Sequence, residues 1–190
     1  MHTKHFLATA LAGLAAASPI RRADINTFEL VAIKSGSPIQ NSNIHASGSK
    51  FWIGKPTATY CPEQVGSNCP AGDQTAVSQG SSSNTLSMSV VVPGGQLVYV
   101  QTDGQVGYTI AHSASIPQGA LTSPFEYTPP TDGEPLGSLT FNEKSFSACP
   151  TSDEGVYQIY ANVDGFTRTD CIGILMGTSE FDETAAWEYT

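Results

Sequence analysis

Four cysteines are the residues whose type and number most directly indicate chemistry in this chain. Cys61, Cys69, Cys149 and Cys171 form an even set behind an N-terminal segment that has the pattern of a secretory signal. In an exported protein such a set forms disulfides by default. Three pairings are open, and Cys61–Cys69 with Cys149–Cys171 is favoured because its partners are close in sequence. The spacings supply no C-x-x-C cluster, so no metal site is expected.

The other residue types that perform catalysis do not form a recognisable set. His112 stands beside Ser113, but a serine nucleophile needs a third partner that the sequence does not identify. Asp153-Glu154 and the acidic residues within 180–183 have the chemistry of a glycosidase acid and base, yet acids in turns and tails are ordinarily solvated. The motifs G-x-S-x-G and H-E-x-x-H do not occur in the sequence. We therefore expect no catalytic residues and no cofactor.

One aromatic residue is a candidate ligand contact. Trp52 lies in the apolar run Phe51-Trp52-Ile53, which predicts a core strand. An exposed indole would instead offer its flat face to the apolar face of a sugar ring. No second aromatic residue at a set spacing extends such a platform. Trp52 is thus the single candidate contact for a glycan, against the simpler interpretation that it packs in the core.

The beginning of the chain predicts export. Residues 1–17 combine a polar start, an apolar centre and the small residues Ala15-Ala16-Ala17, which is the pattern of a signal peptide. The apolar run is too short to span a bilayer. Arg21-Arg22 marks residues 18–22 as a candidate pro-segment, with an uncleaved basic spacer as the alternative. We expect one all-β domain over residues 23–177 and an acidic tail over residues 178–190.

The composition restricts the partners. The chain has 8 basic and 17 acidic residues, a formal net charge of −9, so nucleic acid and anionic lipid should repel it. Charged residues are only 13% of the chain, and its 18 glycines and 12 prolines suit a loop-rich secreted β-protein. In that interpretation the acidity serves solubility. We expect a monomer that binds neither nucleic acid nor membrane.

Residues Leu86–Ala111 have the clearest structural pattern. The segment reads as three short strands, which Pro93-Gly94-Gly95 and Asp103-Gly104 separate. Apolar residues recur at every second position in the first and third, and Leu97 and Tyr99 face the opposite way from Val98 and Val100 in the second. Asp-Gly predicts a hairpin with a type I′ turn, because both central residues of that turn have positive φ. A meander rich in Val, Tyr and Ile predicts an all-β protein.

Further short strands follow along the chain, and no long segment outside the signal has the period of a helix. The predicted strands lie at residues 28–33, 39–46, 51–53, 136–141, 145–149, 156–163 and 169–176, the last with Leu175 in the core. The serine-rich stretch 74–84 is predicted as a surface loop, residues 112–135 as a long connection anchored by Phe125 and Tyr127, and residues 180–187 as a short helix. This spacing favours a compact antiparallel barrel of the β-trefoil type, with a β-sandwich as the alternative.

Five segments allow a comparison with a known family through their order and spacing. They are FELVAIKSGSPIQ at 28–40, GQVGYT at 104–109, LTFNEKSFSACP at 139–150, YQIYA at 157–161 and TDCIGI at 169–174. Together they resemble the secreted fungal cell-wall proteins of the PhiA type, which are often labelled IgE-binding proteins. Cys149 and Cys171 match the ACP and DC motifs of that family, whereas the region of Cys61 and Cys69 is more variable.

The resemblance implies an extracellular or cell-wall location, a role in the integrity of the wall or of spore-bearing structures, and recognition by host antibodies. It supplies no catalytic residues. We therefore expect a secreted, non-enzymatic protein of the fungal wall. The alternative is an effector, an elicitor of plant defence or a glycan-binding module that contacts a host protein or wall polysaccharide. A hydrolase acting on polysaccharide is the third hypothesis.

Overall fold

The computed structural model describes residues 26–79 and 83–190. In these ranges the chain forms short β-strands and one 3₁₀ helix, Glu63–Asn68. The strands are β1 Asn26–Ile33, β2 Ser42–Asn43, β3 His45–Ser47, β4 Lys50–Ile53, β5 Thr59–Tyr60, β6 Ala76–Gln79, β7 Leu86–Met88, β8 Val98–Val100, β9 Val106–Tyr108, β10 Phe125–Thr128, β11 Gly137–Phe141, β12 Phe146–Pro150, β13 Tyr157–Ala161, β14 Ile172–Glu180 and β15 Glu188–Tyr189. The described part contains no helix long and apolar enough to cross a membrane. The predicted signal peptide and pro-segment lie outside the described residues.

The strands pair antiparallel in the order β7-β6-β1-β14-β12-β13-β4-β9-β8, while β5 and β15 form a separate ladder. The two ends of this order approach each other at a single bridge, Ser87 with Leu97. The predicted hairpin of β8 and β9 is present, but the first strand of the meander, β7, pairs with β6. An antiparallel all-β fold is confirmed. The choice between a trefoil-like barrel and a sandwich stays a prediction, because one bridge is not a ladder.

The hydrophobic core receives a side chain from nearly every strand. Side chains that converge at its centre include Leu30, Phe51, Val77, Val98, Phe125, Leu139, Phe146, Ile159 and Met176. Each lies on the inward face of its strand, because successive side chains of a strand point to opposite faces. In β14 this alternation buries Met176 and leaves Leu175 65% exposed, so the prediction of Leu175 as a core residue is wrong.

Two predicted loops contain strands. Ala76 and Val77 are fully buried in β6, which lies between β1 and β7, so residues 76–79 are not a surface loop. A strand with only two apolar residues can be buried at this place, because β6 has a paired strand on each side. Phe125 and Tyr127 do anchor the long connection, as expected, but they belong to β10, which pairs with β11. Phe125 packs on Phe141 with ring centres 4.7 Å apart.

The residues predicted as an acidic tail are part of the domain. Strand β14 continues to Glu180, and the expected helix at 180–187 is not formed. Ala185 and Ala186 are buried, and Tyr189 is only 2% exposed in β15. The boundary at residue 178 is therefore corrected. The acidic side chains within 182–183 remain exposed while the small and aromatic residues after them turn inward.

A buried hydrogen-bond network fixes this last segment, and we call Gln96 and Tyr189 the terminal clamp. The Gln96 side-chain oxygen accepts from the Tyr189 N–H at 2.8 Å, and its amide group donates to the carbonyl oxygens of Tyr189 and Thr109, both at 2.9 Å. The Tyr189 hydroxyl donates to the Gln74 carbonyl and accepts from the Ala76 N–H, each at 3.0 Å. An unpaired buried polar group is costly, so these mutual hydrogen bonds hold the segment in place.

The turn at Asp103-Gly104 does not have the predicted type I′ geometry. At 101–104 only Gly104 has positive φ, +91°, and its N–H donates to the Gln101 carbonyl, so this is not a type I′ turn. Two consecutive residues with positive φ occur instead at Gly48-Ser49 between β3 and β4, at Gly94-Gly95, and at Asn142-Glu143 (φ 51° and 60°) between β11 and β12. The last of these pairs contains no glycine. Tertiary pairing of β11 and β12 with β14 imposes that turn on a sequence without glycine.

Candidate functional site

The outer surface of β3, β4 and β13 brings together the polar and aromatic residues that are candidates for binding. The strand register places His45 opposite Trp52, Trp52 opposite Gln158, and Gln158 opposite Cys149. Such cross-strand partners lie side by side on one face of a sheet. Their sequence neighbours Ala46, Phe51, Ile159 and Ala148 belong to the core, so this row faces away from it.

Trp52 is covered in this row. The side chain is 9% exposed, and its ring N–H donates to the Ser47 carbonyl at 2.7 Å. The Lys55 ammonium lies 3.9 Å from the centre of the ring, a cation–π contact, and the Lys50 ammonium lies 6.0 Å away. A sugar could stack on this face only after Lys55 moved aside. The predicted contact of Trp52 with a glycan therefore stays a prediction, and the geometry points to the neighbouring residue, His45.

His45 lies in the wall of a surface groove of about 520 Å³, which we call the His45 groove. Its polar lining consists of Asn41, Ser42, Asn43, His45 and Tyr157, and its apolar lining includes Pro38, Ile39 and Ile53. No carboxylate or ammonium group is part of this lining. The groove therefore offers amide, hydroxyl and imidazole groups without a formal charge, beside patches of apolar surface.

The floor of the groove requires glycine. Gly54 has φ +85°, and a Cβ atom there would lie 2.3 Å from the Gly155 carbonyl oxygen. No other residue avoids both the strained backbone and this overlap. The turn after β4 and the turn before β13 can therefore approach each other closely at one end of the groove.

Three side chains form a hydrogen-bonded row behind the groove, and we call it the His45 relay. His45 Nδ1 lies 3.0 Å from the Thr57 hydroxyl, which lies 2.9 Å from the Thr75 hydroxyl. The Ala46 N–H donates to the Thr75 hydroxyl at 2.8 Å. Burial lowers the pKa of His45, because the charged imidazolium is poorly solvated there. The residues that sequence analysis missed are Thr57 and Thr75, for which no local pattern gave a signal.

Of the catalytic arrangements considered from the sequence, one pair of acids comes together: Glu180 and Asp182, both exposed, line a depression of about 310 Å³ with Tyr127 and Phe181. The other arrangements do not come together in the described residues. His112 is exposed at φ 61° beside a depression lined by Thr109, Ser113 and Gln96, and no acidic residue lines it. Asp153 and Glu154 are exposed in the turn before β13. No described group of three or more His, Cys, Asp or Glu side chains is placed to hold a metal ion.

Both predicted disulfides are present. Cys61–Cys69 closes the loop that contains the 3₁₀ helix, and Cys149–Cys171 ties β12 to the residue before β14. Cys149 is fully buried beside Gln158 in the outer row. This bridge therefore supports the layer in which Trp52 and His45 lie.

Comparison with known proteins assigns the chain to a family. A family model described as "PhiA-like secreted protein" matches residues 28–190, which is nearly all of the described domain. The chain belongs to this family. The resemblance stated from the sequence is thus confirmed, as is the prediction of a secreted protein.

Two relatives illustrate the range of this PhiA-like family. An "Uncharacterized secreted protein" of Arthroderma benhamiae is 40% identical over 157 residues, covering 77% of each chain. "Cell wall protein phiA" of Emericella nidulans is 26% identical over 191 residues, covering 95% of this chain and 96% of the relative. The second likeness spans almost the entire length of both proteins.

Proposed function

We propose that the protein is a non-enzymatic component of the fungal cell wall that associates with wall polysaccharide. The observation that carries this proposal is the family match over residues 28–190, together with the full-length likeness to a relative named as a cell wall protein. A role in the integrity of wall or spore-bearing structures, and recognition by host antibodies as a surface antigen, belong to the same proposal.

The chemistry of the described surface supports a binding role. Glycoside hydrolysis needs two carboxylates on opposite sides of the scissile bond, and acyl transfer needs an activated nucleophile beside a base. Asp153 and Glu154 lie in an exposed turn, the exposed Glu180 and Asp182 share a depression whose lining contains no histidine, and His112 lies in a depression without an acid. The His45 groove, by contrast, offers uncharged hydrogen-bonding groups of the kind that hold a ligand in place.

Binding to a host protein, as an effector or elicitor, is the alternative. The described surface exposes single large apolar side chains, such as Ile110, Leu121 and Leu175. Single exposed apolar residues are common on soluble proteins and do not define an interface. The wall component is therefore the better supported proposal.

Wall fractionation and co-sedimentation test the proposal. We expect the protein to remain with isolated walls after washing, and the purified mature protein to sediment with insoluble chitin or β-glucan. Recovery only from the medium, with no sedimentation on either polymer or on whole walls, would contradict it. Release of reducing sugars in a panel of polysaccharides would contradict the non-enzymatic part alone.

A further inference from the structure

We propose that the His45 groove is the polysaccharide-binding site and takes a neutral glycan, with His45 held by the His45 relay as a hydrogen-bond donor toward it. This inference rests on the proposed function and adds to it the place, the ligand class and the role of three residues.

The direction of the relay follows from counting donors and acceptors. The Ala46 N–H can only donate, so the Thr75 hydroxyl oxygen accepts from it. Thr75 is 3% exposed, and its own hydroxyl proton needs an acceptor, which the described structure offers in Thr57. Thr57 then directs its proton to His45 Nδ1. The opposite direction would leave the buried Thr75 proton without a partner.

The relay fixes the tautomer of His45. A neutral imidazole that accepts a hydrogen bond at Nδ1 carries its proton at Nε2, because one ring nitrogen accepts and the other donates. No described residue forms a hydrogen bond with Nε2. The ring therefore keeps a donor for a ligand in the groove, held in one orientation by two threonines that do not themselves line it.

The charge of the site favours a neutral ligand. The groove lining contains no acidic or basic side chain other than His45, and the whole chain has a formal net charge of −9. An anionic polymer would gain no ion pair in the groove and would be repelled by the rest of the molecule. A cationic polymer would meet no carboxylate in the lining to neutralise it.

The remaining groups suit sugar hydroxyls. Each hydroxyl of a sugar both donates and accepts, and the amides of Asn41 and Asn43 also do both. The apolar surface of Pro38 and the ring of Tyr157, which are not fully buried, can face the C–H surface that a sugar ring presents. The volume of the groove, about 520 Å³, lies within the range of small-ligand sites. A segment of neutral wall glycan is the occupant with this combination of properties.

Binding of soluble glycans tests the ligand class and the place. The probes are laminarin and chitin hexasaccharide as neutral glycans and polygalacturonate as an anionic one, measured by titration calorimetry. We expect one neutral glycan to bind and polygalacturonate not to bind. We expect Asn43→Ala and His45→Phe each to weaken binding roughly fivefold to tenfold, the loss of one hydrogen bond. Asn68→Ala, an exposed asparagine on the Cys61–Cys69 loop, is the matched control and should bind as the wild type does.

Several outcomes would overturn the inference without touching the proposed function. Both groove variants binding as tightly as the wild type would do so, and so would binding of polygalacturonate alone. Sedimentation with walls in the absence of binding to either neutral probe would also overturn it. Failure of the wild type to bind walls or any polysaccharide would overturn the proposed function and this inference together. Circular dichroism of each variant shows that it is folded, which is expected for the exposed Asn43.

The tautomer of His45 is tested separately, by the nitrogen-15 shifts of its imidazole ring. We expect the neutral Nε2–H form at pH 7 in the wild type. Thr57→Val should mix the two tautomers and weaken glycan binding, whereas Thr167→Val, an exposed threonine outside the relay, should change neither. A ring protonated at Nδ1 in the wild type would refute the positioning role of the two threonines.

Discussion

The terminal clamp and the His45 relay are both hydrogen-bonded networks of hydroxyl, amide or ring groups, and they differ in where they end. In the clamp, Gln96 and Tyr189 satisfy each other and neighbouring backbone groups, so every bond begins and ends inside the protein. In the relay, Thr75 and Thr57 lead to an imidazole at the surface of a groove. A closed network of this kind contributes to stability alone, whereas an open one leaves a hydrogen-bonding group for a ligand.

The largest expected effect comes from opening the clamp. Gln96→Ala removes three hydrogen bonds and leaves buried groups of Tyr189 and Thr109 unpaired. We expect the free energy of unfolding to fall by about 3 kcal/mol or more, since each unpaired buried group costs about 1–3 kcal/mol. Denaturant unfolding measures this loss. Gln118→Ala, at an exposed glutamine, is the control, and an equal small loss in both variants would show that the clamp is not a stabilising network.

Tyr189 of the clamp and Tyr108, whose ring packs on that of Tyr189 with centres 6.2 Å apart, should make the stability respond to alkaline pH. Burial raises the pKa of the hydroxyls of Tyr108 and Tyr189 well above the usual range. Because the folded pKa lies above the unfolded value of about 10, their contribution to stability is present below that pH and is lost as the pH rises. We expect two of the seven tyrosines to ionise only as the protein unfolds, in a titration followed by absorbance. Ionisation of all seven in one step, with the fold intact, would contradict this.

A smaller effect is expected inside the relay. Thr75→Val keeps the shape of the side chain but leaves the buried Ala46 N–H without its acceptor. We expect the free energy of unfolding to fall by about 1–3 kcal/mol, the cost of one unpaired buried donor. The same change at exposed Thr167 should leave the stability within about 0.5 kcal/mol of the wild type. If Thr75→Val and Thr167→Val are equally stable, the relay does not stabilise the fold. The contrast between the relay and the clamp is then larger than we infer.

The smallest expected effect is the response of the relay to acid. Burial lowers the pKa of His45 in the folded protein. Below about pH 6.5 the unfolded chain therefore binds a proton at this residue more readily than the folded protein does. Stability should therefore fall as the pH drops through 6.5 and level off below the folded pKa. The difference in unfolding free energy between the wild type and His45→Phe should shrink from pH 7 to pH 5. A constant difference would show that His45 titrates alike in both states. Carboxylates common to both proteins cancel in this comparison.

Much of the fold could be predicted from local patterns. Alternation identified β8, β9 and β13, and short, largely apolar runs beside turn residues identified β1, β4, β11 and β12. The short sequence separations of the cysteines favoured the pairing that the structure contains. The missed β6 and β15 have a common cause. Ala76, Val77 and Tyr189 have mostly polar neighbours in the sequence, so the apolar pattern that marks a strand is weak there. Their burial depends on strands from distant parts of the chain.

Local patterns were enough to predict the all-β class, the favoured disulfide pairing and the family, because side-chain alternation, cysteine spacing and motif order can be seen along the sequence. The place of residues 178–190 in the domain, and the groove that His45 faces with two threonines behind it, become visible once the strands are assembled. Gln96 and Tyr189 are 93 residues apart, and Ala46 and Thr75 are 29 apart. Hydrogen bonds between residues so far apart depend on which strands pair and in what register, and a local sequence pattern does not predict that pairing.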